Sequence, residues 1–365
     1  MNKKIVGLYS VIHFIVDLSC VVLVTNLITQ KMGKNANLFI AILIYNFFAF
    51  AMQLPIGIIA DKLNKNAICS GFGCVLVAIA FEFADFGIIS CVIAGIGNAM
   101  FHIGGGIDVL NISDKKATLS GIFVSTGAIG IFLGSKSTQI GFNKFYIMIF
   151  VLLISAILLF GLYNQIKDKV NNKEVIIPEL NINAIISIIC LIITVCIRSY
   201  VGLILAFEWK RSFLLASFSI LAVVLGKMLG GIIGDKIGYK NISIISLTIS
   251  ATGFIFAFNN PNLGILAMLF FNMTMPITLT ALSNILDNNK GMAFGLLTLA
   301  LFIGSIPKFL GIGSSIFTPI GLCVINIISL IVLYIGIRKY NIVMEKQVWY
   351  RVCLNRYFLL LLSNY

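Results

Sequence analysis

The stretch GIIADK, residues 57–62, is answered by GIIGDK, residues 231–236. From Gly57 to Gly231 and from Asp61 to Asp235 the offset is 174 residues. The same offset carries Gly121 of LSGIF onto Gly295 of AFGLL, and Gly130 onto Gly304. A register held at this distance across several segments indicates one structural plan used twice.

The sequence around the copies is that of a membrane protein. Of 365 residues, 59% are hydrophobic and 11% charged, with a mean hydropathy of +1.06. A soluble domain carries about 25% charged residues. A span needs about 20 mainly apolar residues. Twelve runs qualify, near 5–29, 37–60, 67–84, 87–110, 119–141, 144–164, 183–206, 212–234, 241–258, 262–286, 292–312 and 316–337. The longest polar stretch, YNQIKDKVNNKEVIIPELNIN at 163–183, follows the sixth. The expected fold is an all-α polytopic membrane protein of twelve transmembrane helices in two six-helix bundles. The bundles occupy 1–164 and 183–338, with a cytoplasmic linker at 165–182 and a cytoplasmic tail at 339–365. Six spans per half keep both halves in one orientation, so the repeat is parallel, with its axis along the membrane normal.

The formal charge of +13 is accounted for by topology, and nucleic acid is not an expected partner. With the N-terminus in the cytoplasm, seventeen of the 26 Lys and Arg fall on the cytoplasmic side. Five (Lys31, Lys34, Lys144, Lys210 and Arg211) fall outside, and Lys136, Arg198, Lys227 and Lys308 lie within spans. This is the positive-inside pattern, which places both termini in the cytoplasm of a cell with the protein in its inner membrane. The start resembles a signal peptide, but Asp17 interrupts its apolar run and no A-x-A site follows, so the first span is expected to be retained. The tail has an apolar run too short to span; with Trp349, Tyr350, Arg351 and Arg356 it either lies on the inner surface or is disordered. The eight cysteines form no C-x-x-C pair and read as small packing residues. No metal site and no cofactor are expected. No G-x-x-x-x-G-K-[ST] run occurs, which argues against ATP hydrolysis, and no nucleophile–base pair suggests an enzyme.

The repeated turn has its own physics. Gly57 and Gly231 permit close helix contact. Asp61, at a helix end, can cap exposed N–H groups and pair with Lys65, and Asp108 near the end of the fourth span is placed to join it. Twelve spans as six plus six, with an acidic-basic turn after the second span of each half, resemble the major facilitator superfamily. Its signature there is G-x-x-x-D-[RK]-x-G-[RK]-[RK]. The first copy offers Gly57, Asp61, Lys62 and Lys65, with Asn64 in place of Gly; the second offers Gly231, Asp235, Lys236, Gly238 and Lys240. The resemblance implies that these charges latch the two bundles in the outward-facing state.

The polar residues inside spans cluster. His13 and Asp17 are in the first span, Asn98 and His102 in the fourth, Arg198 in the seventh and Asn272 in the tenth. In the resembling fold those four spans line the central cavity. His13 and Asp17 are four apart, hence on one helix face, and Asn98 and His102 repeat the spacing. At 1.5 Å per residue, His13 lies about 6 Å and His102 about 4.5 Å cytoplasmic of their span centres. The two histidines of the chain are thus expected at one depth, with Asp17 just above. An intramembrane Asp is costly unless it faces water or a cation. Lys227 and Gln53 are equivalent under the offset and read as interface residues.

A narrower resemblance is carried by His13 and Asp17 (H-x-x-x-D), by Gln53, Gly57 and Asp61 at the end of the second span, and by Gly97, Phe101 and His102 in the fourth. These are similar to motifs of the fosmidomycin-resistance branch. Pro55 stands one place late, and Ile103 replaces the Pro expected after His. The resulting expectation is a secondary transporter, monomeric, that exports a small organic compound by alternating access against proton entry. Asp17, His13 and His102 would couple to protons, and Arg198, Asn98 and Asn272 would bind substrate. The same parts suit proton-coupled uptake, and a non-transporting sensor is the rival of a different class.

Overall fold

The structure, a computed structural model, describes residues 2–33, 36–139, 141–142, 144–166, 180–312 and 316–362. Most of the expected linker lies outside the described residues. Among the described residues, twelve helical rods follow in chain order. α1 is Asn2–Val22, continued through a π-helical turn at Leu23–Ile28 to Met32. α2 is Ala36–Asn46, a π turn at Phe47–Ala51 and Gln53–Leu63. Then come α3 (Asn66–Glu82), α4 (Gly87–Ile112), α5 (Ala117–Lys136) and α6 (Phe145–Ile166). The second half has α7 (Ile182–Ile204), α8 (Phe213–Ile237), α9 (Tyr239–Phe256), α10 (Pro261–Asn272 and Thr274–Ile285), α11 (Lys290–Phe309) and α12 (Pro319–Leu362). Ten are long and apolar enough to cross a membrane. The exceptions are α3, of 17 residues, and α9, of 18 and interrupted by polar side chains. α12 runs unbroken into the segment expected as a tail.

Helix ends follow local chemistry. Asn181 caps α7 through its side chain, and Asn260 caps α10 with Pro261 at the first helical position. Asn64, standing where the signature has Gly, ends the first half of the repeat in the left-handed region at φ 51°, which Asn tolerates better than most residues. Its counterpart Gly238 has φ 90°.

In the first half α1 packs on α4 and α5, and α3 on α4 and α6; in the second, α7 packs on α11 and α12, and α8 and α9 on α10. The halves meet along two seams related by the repeat, α2 against α11 and α8 against α5. The repeated glycines make both seams possible. A Cβ at Gly57 would overlap the Gly291 backbone, and one at Gly231 the Ala117 backbone. Large apolar side chains such as Phe150, Ile157 and Ile320 are exposed on the outer faces, where lipid is the solvent.

Candidate functional site

The structure brings His13, Asp17, Asn98 and His102 into one cluster between α1, α4 and α5. His13 Nδ1 lies 2.8 Å from the Phe123 carbonyl oxygen, and His102 Nδ1 2.9 Å from the Asn98 carbonyl oxygen. A carbonyl only accepts, so both Nδ1 atoms carry hydrogen and donate. The Nε2 atoms of the two neutral rings would then both be acceptors, yet they face each other at 2.8 Å. A proton between them removes the conflict and makes the pair an imidazole–imidazolium. Asp17 balances that charge: Oδ2 is 3.2 Å from His13 Nε2 and Oδ1 3.6 Å from His102 Nε2. Asn98, expected at the substrate, instead donates its amide to Asp17 Oδ1 at 3.1 Å. His13, Asp17 and Asn98 are buried. Gly127 on α5 gives the cluster its room, since a Cβ there would overlap Asp17 Oδ2 and His13 Nε2.

His13, Asp17 and His102 have ligand atoms within 4.8 Å of one another, as no other described set of His, Cys, Asp or Glu does. A tetrahedral zinc ion holds two nitrogens at about 2.0–2.1 Å each, which sets them about 3.3 Å apart. The nitrogens here are 2.8 Å apart, a spacing that suits a shared proton.

The carboxylates of the repeat sit on the partner half. Asp61 accepts from the backbone N–H of Gly291 and of Met292, both at 2.8 Å, at the start of α11. Asp235 accepts from Ala117 and Thr118 N–H at 2.8 Å, from the Thr118 hydroxyl at 2.5 Å and from the Tyr239 hydroxyl at 3.2 Å, at the start of α5. Each Asp therefore caps a helix of the other half, where the N-terminal dipole favours an anion. Two expectations are corrected. Asp61 makes no ion pair with Lys65, because its oxygens face α11. Asp108 does not join the cap, because it accepts from Tyr9 Oη at 2.6 Å and Asn66 Nδ2 at 2.9 Å inside the first half. Lys62, Lys65, Lys236 and Lys240 are exposed, Lys240 lying over the Tyr334 ring. Further grips at this end come from residues the motif does not include. Lys290 Nζ donates to Leu110 O at 3.1 Å, and Asn284 Nδ2 to Lys115 O at 3.0 Å.

In the second half Arg198 is buried, its Nη1 3.2 Å from Thr278 Oγ1 on α10. Asn272, the α10 residue expected beside it, donates to its own helix at Met268 O and lies against Gly226 of α8. Sequence reading underrated Lys227. Its ammonium crosses the α8–α5 seam to the Val124 carbonyl at 3.1 Å, one residue from the carbonyl that holds His13. A lysine replacing Gln53 under the repeat was the signal. Gln53 itself is buried with Oε1 unpartnered.

No family model matches the chain, and no curated protein matches it. Solved structures are similar in fold. The E. coli fucose:proton symporter FucP superposes with a TM-score of 0.62 at 13% identity, covering 92% of this chain and 98% of that one. FucP in the outward conformation, described as a major facilitator superfamily transporter, gives 0.59 at 12%, covering 91% and 99%. A bacterial homologue of the iron transporter ferroportin in the outward-facing state gives 0.60 at 11%, covering 93% and 99%. At these identities the likeness is one of fold: the chain has the twelve-helix major facilitator fold.

Proposed function

We propose that the protein is a secondary transporter of the inner membrane, working as a monomer with both termini cytoplasmic. It exports a small organic compound by alternating access in exchange for protons, and performs no covalent chemistry. The single observation that carries this reading is the His13–His102–Asp17 cluster, an intramembrane carboxylate held against two histidines that face each other. Asp17 receives a proton arriving from outside. The imidazole pair then releases the proton it shares, because its counter-charge is gone, and the proton passes on when the cytoplasmic end opens. Histidine suits this role because it titrates near neutral pH.

Fold-level likeness to transporters supports transport. Export follows the resemblance of His13, Asp17, Gln53, Gly57, Asp61, Gly97, Phe101 and His102 to the fosmidomycin-resistance branch. The reciprocal caps of Asp61 and Asp235 are proposed as the latch that holds the cytoplasmic ends together while the site faces outward. Proton-driven accumulation and substrate counterflow in proteoliposomes, across about pH 5.5–8, test the reading. Asp17→Asn is expected to abolish accumulation and retain counterflow; full accumulation in that variant refutes it.

A further inference from the structure

Arg198 and Lys227 are cations inside the bilayer span without a carboxylate of their own. Among the described residues neither has an acidic group within ion-pair distance. Asp17, the carboxylate nearest mid-span, is held by His13, His102 and Asn98. Arg198 uses one of its five N–H donors, on a neutral hydroxyl. Lys227 uses one of three, on a backbone carbonyl. The two charges are near enough to repel each other, and Asp17 offsets part of that repulsion at Lys227 from beyond ion-pair distance. Cations with unfilled donors inside a span, Arg198 buried and Lys227 half-buried, are costly in a membrane interior and mark a binding path.

Their placement adds a direction. Arg198 on α7 meets Thr278 of α10; two residues along α10, Thr280 meets Ser120 of α5 at 3.0 Å. Val124, which holds Lys227, is four residues from Ser120. The two cations thus reach two helices that touch each other, Arg198 reaching α10 and Lys227 reaching α5. A guanidinium fork beside an ammonium fits an oxyanion, because two of its oxygens can take parallel N–H bonds while a third accepts from the amine.

We infer that Arg198 and Lys227 form the binding site for the oxyanion group of the transported compound, a carboxylate or a phosphoryl group on an organic body. This rests on the transport reading and names its substrate class. It also explains the link between sites. Lys227 and His13 are held by adjacent carbonyls of α5, Val124 and Phe123, so an anion that draws Lys227 toward itself disturbs the peptide next to the proton pair.

The test is equilibrium binding to the purified full chain of benzoate, phenyl phosphate and the cation tetraphenylphosphonium. One or both anions are expected to bind, and which one does separates the carboxylate from the phosphoryl source. Arg198→Gln and Lys227→Gln should each weaken that binding about tenfold or more. If the Gln variants do not fold, Arg198→Lys decides: it keeps the charge but loses the fork, and anion binding should still weaken. No anion binding at roughly 10 mM, preference for the cation, or unchanged anion affinity in the folded Arg198 variants overturns the inference. Anion binding without proton-coupled flux overturns the transport reading instead. Proton-coupled flux without anion binding overturns only the substrate class.

Discussion

Replacing Asp61 or Asp235 by Asn should open the cytoplasmic end, and by unequal amounts. Asp61 receives two backbone N–H groups of α11. Asn keeps one acceptor oxygen and turns an amide toward the second N–H. The loss of one hydrogen bond to a charged acceptor is worth about 1.5–3 kcal/mol. Water recovers part of it at this half-buried position, and the lost helix-end attraction adds about 0.3–1 kcal/mol. A net of about 1.5–2 kcal/mol shifts the closed-to-open ratio about 10–30-fold. Asp235 receives two N–H groups and two hydroxyls, so Asp235→Asn should cost about 2–3 kcal/mol, or about 30–150-fold. The sites lie on different seams, so their effects should add, to about a thousandfold in the double variant. Spin labels at Leu63 and Ile237, both exposed at the ends of α2 and α8, report the separation by pulsed dipolar spectroscopy in a background without native cysteines. Distance distributions that do not change in either variant would refute the latch. A larger shift from Asp61→Asn than from Asp235→Asn would refute the hydrogen-bond accounting behind it.

Other outcomes follow from the same geometry. His13→Gln and His102→Gln should each shift the pH dependence of transport without ending it, and the double variant should be less than additive, because the two rings share one proton; additive loss in flux assays would show independent roles. Gly127→Ala places a methyl group against Asp17 and His13, and should lower proton-coupled flux about tenfold or more while counterflow persists, whereas equal loss of both would indicate misfolding. Gly231→Val should act at the α8–α5 seam, raising the open fraction in the same spin-label measurement by an overpacking cost of about 1–3 kcal/mol; an unchanged distribution would mean that the seam relaxes freely.

The sequence by itself determined the number and order of the helical rods, their division into two halves and the place of the capping turns. These depend on local quantities: apolar run length, the charge of short loops, and a small-residue and carboxylate pattern repeated at a set distance. It also put both histidines at one depth, because helical rise converts residue number into height. Which side chains then meet was decided only in the tertiary structure. Height says nothing about rotation, and rotation turned Asn98 toward Asp17, left Asn272 on its own helix and brought Thr278 to Arg198. The caps show the same division. Asp61 and Asp235 were legible as capping residues, but a motif cannot name its partner 230 residues away. Asp108 was assigned to the wrong network for that reason, since proximity to the cytoplasmic end is shared by many residues. Lys227 was legible as an interface residue from its equivalence to Gln53 under the repeat, but a lysine in a span can extend several ångströms in any direction. Only the packed α8–α5 seam directs its ammonium to Val124, beside the carbonyl that holds His13.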